Sequence, residues 1–324
     1  MDRQKDTTLL KARSYRSVLA AGFRLYTENF RRLFKASWQM ALLYALSCGA
    51  AGTLAAIKLP ELSQALIQQM TVYQGVFIET VQQYALTLLG FLALALLSVA
   101  TLALASAPIL SKLKEHKDTG AITTPPHWLT ASPHLMGRSL KGIFLTLLVI
   151  MIPFCLFAGA MAAANTVSEQ FVVRHLVTTI ATFALFTIAV LLLALPLYYV
   201  LMKYLMESPC GYWRTLGRSY GRGLRHWGML FLVFFVSGLL VMLASMIVMT
   251  PSNILSFANQ QAHLGQLLGD PLGMPSYMTT LTFVTLTLCS FIQFYISQVM
   301  LVHNYYIYGS IETKDKEQSK IANV

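Results

Sequence analysis

The residues able to do chemistry are few and dispersed. Clustered histidines would matter most, because metal enzymes built inside a membrane hold their ions between imidazoles. Seven histidines are present. His116, His127, His134, His226 and His303 fall toward one side of the expected topology, yet no two have the i, i+4 or His-x-x-His-His spacing that fixes a metal on a helix. Cys48, Cys155, Cys210 and Cys289 show neither a metal-type spacing nor a disulfide pattern, and read as small packing residues. Paired carboxylates in an apolar stretch, a Gly-rich phosphate loop, a GxSxG elbow and HExxH are all missing from the sequence. No catalytic residue, cofactor site or metal site is expected.

Two other residue patterns carry a possible function. In the last apolar stretch Gln293, Ser297, Asn304 and Tyr308 share one helical face, with Tyr295, Gln298, His303, Tyr305 and Tyr306 nearby. Polar side chains in lipid hydrogen-bond across helices for roughly 0.6–2 kcal/mol each, so this face is either structural glue or the lining of a substrate cavity. The second pattern is basic. In residues 14–35, Tyr15, Val18, Leu19, Tyr26, Phe30 and Leu33 recur on one helical face, with Arg16, Arg24, Arg31 and Lys35, and Arg13 just before them, on the other. Residues 211–228 set Tyr212, Leu216, Tyr220, Leu224 and Trp227 against Arg214, Arg218, Arg222 and Arg225. A weaker copy at 128–144 opens with Ser132 as N-cap and Pro133 at the first helical position. It sets Trp128, Leu135, Met136, Leu140 and Ile143 against His134, Arg138 and Lys141.

An amphipathic basic helix with aromatic anchors lies in the membrane interface, where each Lys or Arg near an anionic leaflet contributes about 1 kcal/mol. Arg16, Arg24, Arg31, Arg138, Lys141, Arg214, Arg218, Arg222 and Arg225 are therefore candidate contacts for anionic phospholipid or for another membrane protein. The plainer reading is that these helices only anchor the adjacent span. Nucleic acid is not an expected partner, because the basic residues lie where membrane insertion already requires them. Gly217, Gly221, Gly223 and Gly228 weaken the third segment as a helix by about 1 kcal/mol each relative to Ala, and mark either flexibility or close backbone contact.

The elements that must position these residues follow from composition. The chain has 324 residues, 56% of them hydrophobic and 11% charged, with a mean hydropathy of +0.59. A soluble globule of this size could not cover its surface with so few charges, so soluble enzyme, secreted scaffold and disordered chain are excluded. Six stretches can each span a bilayer core of about 30 Å as helices: 36–57, 84–110, 142–164, 176–201, 229–250 and 278–308. Of the 24 Lys and Arg, 22 fall on one side of these spans and 2 on the other, Lys58 and Arg174. The positive-inside rule then places both termini in the cytoplasm. The polar N-terminal segment is not a cleavable signal peptide, so the first span serves as the insertion signal.

Segments 14–35 and 211–228 align without a gap at an offset of 197, pairing Leu19 with Leu216, Phe23 with Tyr220 and Phe30 with Trp227. Pro108 and Pro196 recur near the cytoplasmic ends of spans two and four and loosen those turns, whereas span six has no counterpart. The expected fold is all-α and integral to the membrane: one domain over 1–324, with repeat units at about 12–112, 128–204 and 211–310 and a polar cytoplasmic tail at 311–324. Each unit is a basic interfacial helix followed by a helical hairpin. The outer loops of the first and third units place apolar residues at helical spacing over 59–77 and, more loosely, 252–268. Ala45, Gly49, Gly52 and Ala56 form a small-residue stripe for close helix packing.

The motif RSVLAAGFRLYTENFRRLF leading into a first span, with helix–span–span units behind it, resembles the six-span membrane domain that some bacterial glycerophosphodiester phosphodiesterases carry fused to a catalytic barrel. It is also similar to related stand-alone membrane proteins. That resemblance implies a bacterial cytoplasmic membrane and no activity, since this chain has no barrel and no residue of phosphodiester chemistry carries over. The expected function is a scaffold, accessory or lipid-associated membrane module. The alternative is a carrier or exporter of an apolar or weakly polar solute.

Overall fold

A computed structural model describes residues 8–68, 82, 84–123, 132–165, 172–207, 210–269 and 275–322. Seven helices account for nearly all of them: α1 (Tyr15–Gln68), α2 (Ala85–Thr119), α3 (Pro133–Asn165), α4 (Val172–Met206), α5 (Tyr212–Arg225), α6 (Trp227–Leu267) and α7 (Tyr277–Ala322). All but α5 are long and apolar enough to cross a membrane, and the chain is a multi-pass membrane protein. The outer faces fit a lipid solvent: Leu86, Leu185 and Ile247 are 85%, 72% and 76% exposed. Such residues would be intolerable in water on this scale, and are at ease against acyl chains.

The basic segments do not form three separate helices. Nothing between Lys35 and Ala36 breaks a helix, so 15–35 continues into the first span as one helix of 54 residues. That is about 80 Å long, more than twice the bilayer core. The second basic segment likewise forms the opening turns of α3, and its Trp128 lies outside the described residues. Only the third is independent: α5 ends at His226, whose backbone leaves the helical region (φ −103°, ψ 23°), and α6 starts at once. Helix α1 continues past the first span to Gln68, covering the start of the outer segment expected at 59–77, and the remainder of that segment lies outside the described residues. Residues 252–267 extend α6. The polar segment after 310 extends α7 to Ala322, with Ile311 and Glu312 buried in its first turn.

The helices close a ring. Each hairpin (α1–α2, α3–α4, α6–α7) packs internally, and the basic segment leading into it seats on the second helix of the hairpin before it. Thus α3 seats on α2, where the fully buried Ser139 donates to the Ala103 carbonyl at 2.9 Å. Helix α5 seats on α4, and α1 seats on α7 along both its basic half, at Gly22 and His303, and its span, at Gly49 and Thr287. The second helices of the hairpins meet inside, and their basic ends form the densest core: Ile109, Leu113, Tyr199, Met202, Tyr305 and Tyr306 are all buried.

Small residues set the distances at these seats. A Cβ on Gly22 would lie 2.2 Å from the His303 ring, and one on Gly49 would lie 2.1 Å from Thr287 Oγ1. Gly49 and Gly52 of the small-residue stripe therefore lie against α7, Gly52 facing Leu286, as small residues permit. His303 is itself fully buried, stacked edge-on to Phe23 at 4.7 Å and placed 3.3 Å from the Leu19 carbonyl. With no room for the ring to swing, Gly22→Ala should destabilise the fold by about 1–3 kcal/mol. The check is a thermal unfolding midpoint in detergent; an unchanged midpoint would refute the tight α1–α7 seat.

Candidate functional site: the basic rim around α5

Helix α5 meets three environments at once. Tyr212, Thr215, Ser219 and Gly223 are its buried face. This is not the apolar stripe read from sequence. Only Tyr212 belongs to both, and the rest of the buried face is small. The cause is Pro196 on α4. A Cβ on Gly223 would lie 2.9 Å from Pro196 Cβ and 3.2 Å from its Cα, so only glycine allows the two backbones to meet. Proline also cannot donate to the carbonyl four residues earlier, and its ring disturbs the next bond. Both freed carbonyls find donors from the α5–α6 segment: Trp227 Nε1 donates to Leu192 O at 3.0 Å and the Tyr220 hydroxyl to Leu193 O at 2.9 Å. Burial lifts the Tyr220 phenol above its ordinary value, so it remains a neutral donor. Burial also raises Tyr212, partly offset by its hydrogen bond with Thr146 at 2.8 Å.

Rotated about a third of a turn, Trp213, Leu216, Tyr220 and Leu224 make an apolar flank, with Trp213 57% exposed. The opposite flank carries Arg214, Arg218, Arg222 and Arg225, all exposed. Arg222 reaches Asp315 of α7 at 3.7 Å, and His226 meets the same carboxylate at 3.2 Å. Among the described residues Arg214, Arg218 and Arg225 have no acidic partner. Helix α5 thus presents a packed face, an apolar flank and a basic flank.

The other basic candidates divide. Arg16, Arg31 and Lys141 are exposed, and Arg24 is exposed beside Glu28 at 3.5 Å. Arg138 departs from the set. Its guanidinium donates to the carbonyls of Tyr204, at 2.8 Å from Nε, and Glu207, while Lys117 donates to that of Met206 at 3.2 Å. These are the orphan acceptors at the C-terminus of α4, where cations belong. Arg13 also turns inward. It is buried over the Tyr306 ring, 5.0 Å from the centroid, and donates to Leu9 O and Thr8 O.

The polar face of α7 is divided between α6 and the C-terminal end of α4. Gln293 donates to Ser245 Oγ on α6 at 2.7 Å, Asn304 donates to Tyr198 O on α4 at 2.9 Å, and Tyr308 donates to Glu207 at 2.9 Å. Ser297 bonds its own helix at Phe294 O. A cavity of about 510 Å³ does lie beside α7, but its α7 wall is Phe291, Ile292, Tyr295, Ile296 and Val299. A feature missed by sequence reading is the buried ion pair of Lys203 with Glu312, into which Tyr199 also donates at 2.6 Å. Only the charged Lys203, two residues beyond the apolar stretch 176–201 and in the last turn of α4, hinted at it.

Two apolar cavities flank the basic segments. The first lies under the basic half of α1, against α6 and α7. The second, about 620 Å³, lies under α5, against α3 and α4. Among the described residues no three His, Cys, Asp or Glu side chains gather in a metal-binding group. No protein family, curated protein or solved structure matches the chain.

Proposed function

We propose that this protein is a non-catalytic module of the bacterial cytoplasmic membrane that binds anionic phospholipid along its cytoplasmic rim and serves as a scaffold or accessory component there. The observation that carries the reading is the three-faced α5, with Arg214, Arg218 and Arg225 exposed and without an acidic partner among the described residues on one flank, and Trp213 and Leu224 bare on the other. The 22-to-2 division of Lys and Arg supports an orientation with this rim and both termini in the cytoplasm. The gap-free match between 14–35 and 211–228, together with the ring of seats, supports a threefold repeat of basic segment plus hairpin.

A carrier of a weakly polar solute would expose unspent polar groups to its cavity. Here the hydroxyls of Tyr26, Tyr220 and Tyr295 in the cavity walls bond within the protein. The test is the triple substitution Arg214→Gln, Arg218→Gln and Arg225→Gln in the full chain. Each Arg contributes about 1 kcal/mol near an anionic leaflet before screening, so enrichment of phosphatidylglycerol over phosphatidylethanolamine in the purified protein should fall roughly 10- to 100-fold. Mass spectrometry of the copurified lipid reads it. No enrichment in the parent protein, or an unaltered one in the triple variant, would remove the reading.

A further inference from the structure

We infer that the two apolar cavities are two acyl-chain sites in equivalent places of the ring, and that each holds a chain of an anionic phospholipid whose phosphate rests on the arginines beside it. The inference rests on the lipid-binding reading above and adds the places, the number and the walls of the sites.

Four observations converge on it. First, both cavities are built alike. Each lies between a basic segment and the hairpin that precedes it in the ring: α1 over α6–α7, and α5 over α3–α4. Second, the offset of 197 that aligns the two segments superposes Phe23 on Tyr220, and each of these lines its own cavity. It is the one lining position that the offset superposes, since Gly221 falls on Arg24, so the two cavities share their placement in the ring rather than a residue-for-residue lining. Third, the walls offer nothing to a polar occupant. The lining is aliphatic and aromatic, and the hydroxyl groups in it are bonded within the protein: Tyr26 to Tyr295 O at 2.7 Å, Thr27 to Phe23 O at 2.8 Å, Tyr220 to Leu193 O at 2.9 Å. Cavities of about 510 and 620 Å³ fall within the range of about 300–1,000 Å³ that takes one small organic group, here a hydrocarbon chain.

Fourth, charge stands at each edge. At 100° per residue, Arg31 and Arg24, the latter paired with Glu28 at 3.5 Å, lie beside the cavity-facing Thr27 on α1, and Arg214, Arg218 and Arg225 stand beside the cavity-facing Gly217 and Gly221 on α5. A phosphate matches those guanidinium forks, which a zwitterionic headgroup's choline would partly repel. The two glycines also leave the second cavity open: a Cβ at either would meet no heavy atom within 4 Å. Their role is therefore neither close packing nor a special backbone angle, and space for an occupant accounts for them.

The experiment is native mass spectrometry of the full-length protein in mild detergent. It is titrated with phosphatidylglycerol and, separately, with phosphatidylcholine of the same chains. Two tightly retained phosphatidylglycerol molecules are expected, with phosphatidylcholine at least tenfold weaker. Gly217→Leu with Gly221→Leu should fill the α5 cavity and leave one retained lipid. Ala244→Phe should fill the α1 cavity and leave the other, and the combined variant should retain none. Should Ala244→Phe not fold, Val241→Phe probes the same wall. Two lipids retained in the folded combined variant, or phosphatidylcholine held as tightly as phosphatidylglycerol, would overturn the inference. In the first case anionic preference survives, so only the sites are lost. In the second the lipid-binding reading falls with them.

Discussion

Glu312→Ala should lower stability by about 3–5 kcal/mol, the range for leaving one member of a buried ion pair alone. Lys203 and Glu312 are only 11% and 10% exposed at their side chains. The carboxylate also accepts from Tyr199, so its removal strands an ammonium and a phenol together. Glu207 replaces little of it: its ion pair with Lys203 is longer, at 3.7 Å, and its side chain is 41% exposed, so solvent screens that attraction. The pair joins α4 to α7 where the inner ends of two hairpins meet. Its loss should therefore open that end of the ring rather than fray one helix. A combined Lys203→Met and Glu312→Leu variant should recover most of the loss, since well-packed apolar replacement of such a pair is often neutral or better. Denaturant unfolding of the three variants in the same detergent decides it. A cost below about 1 kcal/mol for Glu312→Ala would mean that solvent screens the pair as it does at a surface.

That ion pair marks where sequence reading reached its limit. The six spans were legible because each is a window so apolar that only a bilayer accounts for it, and a bilayer admits only helices in such windows. The amphipathic pattern of 211–228 was equally plain, since Arg recurs at near-helical spacing. Periodicity, however, separates apolar from polar and does not say which face meets protein. Helix α5 buries its small face because Pro196 protrudes toward it, a contact 27 residues away in sequence from the Gly223 that receives it. The proline and the glycine were both visible, and only the fold joins them. Its position on a basic stripe marks Arg138 as a contact for anionic lipid or a membrane partner. Its true neighbour is the end of α4, which has no glycine cap and leaves carbonyls in need of cations. The sequence signal was there, as a helix end followed by Ser208–Pro209 with no capping residue, but it named no partner.

Gly223→Val, by contrast, tests whether the lipid site and the Pro196 seat are one device. The added side chain would meet Pro196 at 2.9 Å for Cβ and 3.2 Å for Cα, the latter part of a helix backbone that cannot yield. Helix α5 must lift away, and with it go the donors from Trp227 and Tyr220 to the carbonyls that Pro196 leaves free. Overpacking together with two lost hydrogen bonds should cost about 3–5 kcal/mol. The loss should be local, because α5 touches α4 far more than any other helix. Hydrogen exchange should accelerate across 212–225 and stay near parental values in α1 and α7. Retained phosphatidylglycerol should drop by one molecule although every arginine is intact. Gly217→Ala and Gly221→Ala give the opposite sign. Their added methyl groups enter open space in ordinary helical backbone, so each should stabilise α5 by about 0.4–1 kcal/mol. If Gly223→Val left both exchange and lipid retention untouched, α5 would be held by its membrane contacts alone. The proline kink would then have no part in positioning the arginines.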